Sequence, residues 1–172
     1  MIRLAIALAL APGLALTPSL ASAACPEVTL VSCGLAKSAK RVELCLTGDS
    51  LRYRFGTAQN TELELIRDVA EASYTPWPGI GRTMWEELSL ENEGVTYQFS
   101  SYSEKLMEEG TEDQLALGTD LIVQRGDQVL AKLTCDPAQV SDLYPVGKAL
   151  HARGYCLDDD GWRKGAGAWR CE

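Results

Sequence analysis

Alternating apolar residues, short turn-rich connections and an even set of six cysteines predict a mainly β, antiparallel protein. The expected architecture is an up-and-down meander of about seven strands, a small barrel or sandwich, followed by a short helix and a disulfide-closed hairpin. The clearest stretch runs from Trp85 to Tyr102. On its first arm Leu88 and Leu90 share one face, with Glu87, Ser89 and Glu91 on the other. On its second arm Val95, Tyr97 and Phe99 alternate with Thr96, Gln98 and Ser100, and Glu91-Asn92-Glu93-Gly94 joins the two as a loop. An isolated two-stranded hairpin is barely stable in water, so its apolar face requires further strands to cover it.

Residues 1–24 read as a secretory signal peptide. Arg3 precedes an alanine- and leucine-rich run to Leu16, broken by Pro12-Gly13, and Ala21-Ser22-Ala23-Ala24 supplies the small residues of a cleavage site. The run is too short to span a bilayer. The mature chain is therefore expected in the periplasm or secreted, with no transmembrane span. A lipoprotein acylated at Cys25 is the competing reading, but Ser22 stands where such sites carry a large aliphatic residue. Residues 25–136 then form the β-domain and residues 137–172 a C-terminal appendage.

All six cysteines follow the leader, which in an exported chain argues for disulfides. Six allow 15 pairings. Proximity favours Cys25 with Cys33, Cys45 with Cys135, and Cys156 with Cys171. A metal cluster has little to build on, since there is no CxxC spacing and one histidine. Sixteen basic residues against 24 acidic ones give a formal charge of −8, and loss of Arg3 with the leader takes it to −9. Such a chain suits neither nucleic acid nor an anionic membrane surface, but it suits a basic protein.

Taken in order, Val42, Leu44 and Leu46 alternate with polar neighbours, Gly48-Asp49-Ser50 turns, and Leu51, Tyr53 and Phe55 return. Residues 62–65 repeat the alternation as a third strand. The segment Tyr74–Arg82 breaks it, because Pro76 and Pro78 lack amide donors and Gly79 and Gly81 favour turns; it is expected as a lid over the core or part of a binding surface. Ser103–Gln114, rich in Glu and Asp, reads as an acidic loop. Leu121–Gln124 and Val129–Cys135 form a last hairpin around Arg125-Gly126-Asp127-Gln128. Leu143, Val146, Ala149 and Leu150 have helical spacing with Pro145 in the first turn and Gly154 beyond the end. Tyr155–Cys171 reads as a small hairpin turning near Asp159-Asp160-Gly161.

Few residues invite chemistry. His151 has no serine or free cysteine signature near it. Asp158-Asp159-Asp160-Gly161 holds hard oxygen ligands, but the spacing departs from that of an EF-hand loop and favours a solvated turn. Glu86 with Glu87, or Glu62 with Glu64, could serve as a glycosidase pair, yet on strands they mark a wet face. No cofactor is expected.

A short resemblance bears on function. The Gly94-Val95-Thr96-Tyr97 step, the Arg125-Gly126-Asp127 turn and a closing strand ending in Cys135 resemble the periplasmic inhibitors of c-type lysozyme. In that family a serine-glycine-x-x-tyrosine stretch enters the lysozyme cleft, and a lysine-glycine-aspartate-like turn lies near a second contact. Here Glu93 stands in place of the serine, and Arg125 in place of the lysine. The chain also resembles uncharacterised exported proteins of proteobacteria, which share the cysteine-ended strand. The resemblance implies a non-enzymatic binding protein, an inhibitor or protective partner of a basic envelope hydrolase. Its contact residues would be Glu91, Asn92, Glu93, Gly94, Tyr97, Arg125 and Asp127. An envelope assembly factor, or a carbohydrate hydrolase using paired carboxylates, are the alternatives. If the target cleft holds catalytic acids, Glu93 among them meets like-charge repulsion unless a cation such as Arg125 intervenes.

Overall fold

The structure, a computed structural model, describes residues 25–106, 114–136, 140–165 and 169–171. The expected leader and the middle of the acidic segment lie outside the described residues. Strands β1 (Val28–Gly34), β2 (Arg41–Thr47), β3 (Ser50–Gly56) and β4 (Thr61–Asp68) pair in chain order. A second meander follows: β5 (Ser73–Thr75), β6 (Thr83–Asn92), β7 (Val95–Leu106), β8 (Gln114–Arg125) and β9 (Gln128–Thr134). The two-residue β10 (Val140–Ser141) returns to β1 and completes two antiparallel sheets of five strands each. The sheets do not close into a barrel. A helix, α1 (Tyr144–Ala152), and a hairpin of β11 (Tyr155–Asp158) and β12 (Gly161–Lys164) complete the described chain.

Seven of these strands are the seven expected, and three are additions. Strand β1 escapes the period-two pattern because a bulge between Thr29 and Val31 shifts the register, so that consecutive residues Leu30 and Val31 are both fully buried. Strands β5 and β10 are too short to show a period, and Tyr74, expected in a loop, is the buried centre of β5. The acidic loop is shorter than expected, since Ser103–Leu106 and Gln114 belong to strands.

Each sheet has one dry face, and the two dry faces share one core. Leu44, Leu51 and Tyr53 of the first sheet meet Leu88, Leu90, Phe99 and Leu121 of the second. The Tyr53 ring packs edge-on to Phe99 at 5.1 Å and lies 5.5 Å from Tyr97. Full burial of one such side chain contributes about 1.5–3 kcal/mol, so this contact outweighs any surface pair. Leu143, just before helix α1, and Val146 and Leu150 within it join the same core. Gly147 admits close approach: a Cβ there would fall 2.7 Å from Tyr74 and 2.8 Å from Trp169. At the far end Gly154, at φ +78°, leaves the helix in the left-handed region, with its N–H donating to His151 O at 2.9 Å.

The disulfides join Cys25 to Cys45, Cys33 to Cys135 and Cys156 to Cys171. The last is as expected, and the first two correct the proximity argument. Strand β1 intervenes between Cys25, which precedes it, and Cys33 near its far end, so the two are held apart. Antiparallel register instead sets Thr29 opposite Cys45, bringing Cys25 to that strand, while Leu35 bridges to Cys135 and Asp136 N donates to Gly34 O at 3.0 Å. Cys33–Cys135 thus fastens the first sheet to the last strand of the second. Ser141 reinforces the join: its hydroxyl donates to Ser101 Oγ at 2.7 Å and accepts from Thr119, so β10 touches both sheets.

Loop-closure entropy ranks these links. Cys33–Cys135 spans 102 residues and Cys156–Cys171 spans 15. Removing the first as a Cys33→Ala/Cys135→Ala pair should cost about 4–5 kcal/mol and removing the second about 3 kcal/mol. Urea unfolding of the two variants measures the order; equal losses would contradict the assigned role of the long link.

Candidate functional site

Both expected contact turns lie at one end of the second sheet. Asn92 pairs with Val95, leaving Glu93-Gly94 as a two-residue turn, and Arg125 pairs with Gln128, leaving Gly126-Asp127 as another. Glu91 and Asn92, read as loop, are therefore strand residues. Because Thr96 pairs with Gln124, the start of β7 and the end of β8 are neighbours. The tips stand about two strand spacings apart, roughly 10 Å.

The first tip is built with some strain. Glu93 has φ +51° and Gly94 φ +73°, the paired left-handed geometry that matches strand twist in tight hairpins. Glycine suits it, whereas glutamate at such a φ is unfavourable by about 1 kcal/mol. Arg67 of β4 reaches over from the first sheet, donating to Glu91 O at 3.0 Å and to Asn92 Oδ1 at 2.8 Å. Glu91, Glu93, Arg125 and Asp127 are exposed. Tyr97 turns inward onto Tyr53 and supports the tip from behind. Burial, with Tyr97 as a second cause, pushes the Tyr53 phenol well above its ordinary range.

Two clefts flank the loop after β5, which the sequence marks as lid or binding surface. One, of about 680 Å³, lies between that loop and the C-terminal hairpin and is lined by Thr75, Pro78, Asp159, Asp160, Trp162 and Arg170. The Trp162 indole N–H is buried without an acceptor among the described residues. The other, of about 340 Å³, opens at the end of the sheet away from the tips and is lined by Trp77, Met84, Glu86, Leu117, Asp142 and Tyr144, among others. Trp77 is held by its own loop, its N–H donating to Ile80 O at 3.1 Å. Sequence reading passed over this second cleft, since its walls come from four separate segments; the inward parity of Glu86, shared with Leu88 and Leu90, was the available clue.

Glu86 is half-buried and accepts the Tyr74 hydroxyl at 2.6 Å. Burial raises its carboxyl above the usual range, the Tyr74 bond opposes this, and Asp142 adds to the rise. Glu87 lies on the opposite face of β6, so the two do not face one substrate. Glu62 is paired with Lys40 at 2.7 Å. His151 packs edge-on to Trp169 at 5.5 Å. Asp158 pairs with Arg163, and Asp159-Asp160 forms the turn between β11 and β12. Among the described residues no three His, Cys, Asp or Glu side chains group closely enough to hold a metal ion.

Comparison with protein-family models, characterised proteins and solved structures finds no match to this chain. The three disulfides mark an oxidising, extracellular-type compartment. No helix among the described residues is long and apolar enough to cross a membrane.

The helix end carries a titrating contact. Asp68 caps the 3₁₀ turn Val69–Glu71 and pairs with Arg153, which also faces Asp49 at 3.6 Å. The N–H of Ala70, and after it the Arg153 guanidinium, hold the Asp68 carboxyl below its usual range. A lowered folded value means that its stabilisation is present above the unfolded pKa and lost as pH falls through the folded one. Glu86 has the opposite sign: its contribution declines as pH rises. Acidification below about pH 4 should therefore lower the protection of the Arg153 and Gly154 amides, measured as exchange relative to the intrinsic rate at the same pH, and Asp68→Asn, which keeps a capping oxygen, should flatten that dependence. Protection factors indifferent to pH in the parent would contradict the contact.

Proposed function

We propose that this chain is an exported, non-enzymatic binding protein that presents its two adjacent tips to a basic partner, an envelope hydrolase of the lysozyme type. The observation that carries the reading is the Thr96–Gln124 register, which sets Glu93-Gly94 beside Gly126-Asp127. A net charge of −8 steers a basic protein toward the surface and accelerates encounter at low salt. Arg125, on the neighbouring tip, supplies the cation that lets Glu93 approach an acidic cleft. Glu91, Asn92, Glu93, Gly94, Arg125 and Asp127 are then the contact, with Tyr97 as its support.

Glu93→Asn separates fold from contact. Asparagine tolerates the left-handed region, so the variant should unfold about 1 kcal/mol later than the parent. Its complex with purified c-type lysozyme should nevertheless weaken roughly tenfold at low ionic strength, as should that of Asp127→Asn. Calorimetric titration at two salt concentrations reads both effects. A parent that binds no lysozyme at low salt, or tip variants that bind like the parent, would reject the proposal.

A further inference from the structure

The cleft at the other end of the sheet has a composition that the tips do not use. On the inward face of β6, Leu88 and Leu90 are fully buried, yet Met84, further along the same face, is 46% exposed. Leu117 of β8 and Tyr144 at the start of α1 are each 51% exposed on the same rim. The dry face of the sheet thus runs past the core into an open, apolar entrance. Such a rim remains costly until something covers it.

Inside the entrance the chemistry changes sign. Glu86 accepts the Tyr74 hydroxyl at 2.6 Å, and Asp142 accepts the Tyr144 N–H at 3.1 Å. Two carboxylates therefore face one cleft. Neither acid is ion-paired among the described residues. Lys148 holds its ammonium 5.6 Å from the centre of the Tyr144 ring. An apolar throat above a fixed, uncompensated negative floor is complementary to an aliphatic stem ending in a positive charge.

We propose that this cleft seats an arginine or lysine side chain projecting from a partner protein, its methylenes against Met84 and Leu117 and its charge between Glu86 and Asp142. A protein is favoured over a free amine because three large apolar side chains around the rim need cover from residues flanking the basic one. The overall negative charge of the chain favours the same class of partner. The site is independent of the tips.

The test is an NMR titration of the whole mature chain, following the Met84 methyl and Trp77 indole signals. N-acetyl-arginine amide should shift both saturably in the millimolar range expected for a single anchoring side chain. The citrulline analogue, equal in shape but uncharged, should bind at least tenfold more weakly. Glu86→Gln with Asp142→Asn keeps the hydrogen-bonding shapes and should abolish the difference between the two probes. Met84→Lys, at an exposed position, should block the cleft with its own ammonium and serves as a second variant if the double one fails to fold. Glu93→Asn should leave the titration unchanged, so failure here and failure of the tip reading are distinguishable. Equal binding of the two probes, shifts confined to the Asp159–Asp160 turn, or a stronger response to a neutral oligosaccharide would overturn the proposal.

Discussion

Everything in this molecule depends on two one-sided sheets finding each other. Neither meander can leave its leucines in water, and the Tyr53–Phe99 contact marks where their dry faces meet. Once that face is shared, the wet faces, turns and edges are free of packing duty. The helix is recruited into the same core through Leu143, Val146 and Leu150, so the C-terminal segment is continuous with the β-domain in its packing. Covalent links then hold what burial has arranged: Cys33–Cys135 at one corner and Cys156–Cys171 at the hairpin.

That arrangement sorts the surface into two ends. At one, backbone register alone brings two tight turns side by side, and Arg67 stiffens the nearer one by reaching over from the opposite sheet. At the other, strands continue beyond the core, and their inward residues emerge into a cleft. The ends differ in kind, since the first displays charge on projecting turns and the second withdraws it beneath apolar side chains. A single acidic chain can in this way present both a protruding and a receiving feature to basic surroundings.

Much of this was legible in sequence wherever one physical rule governed a stretch without competition. Period-two alternation located seven strands, because apolar residues recur at every second position along most of each, even where the β3–β4 and β8–β9 registers shift near a strand end. The tips were legible through turn chemistry, Glu93-Gly94 and Gly126-Asp127 both carrying the glycine that left-handed geometry favours. Strand β1 was hidden because its bulge buries two successive residues, and β10 because two residues have no period. The two misassigned disulfides failed for a related reason: nearness along a chain says little once an extended strand intervenes. The cleft was beyond reach, since Trp77, Glu86, Leu117 and Asp142 become neighbours only after both sheets and the helix are in place.

The pairing pattern of the cysteines has a consequence for how such a chain matures. In order of appearance, the first cysteine joins the third and the second joins the fourth, so the two bridges interleave. The Cys33–Cys135 bridge can close only once Cys135 has been made, so any bond formed earlier between Cys25 and Cys33 would be a mismatched loop. Molecules that acquire that bond reach the native pairing only by thiol exchange, for which an isomerase or a mildly reducing thiol pool is needed.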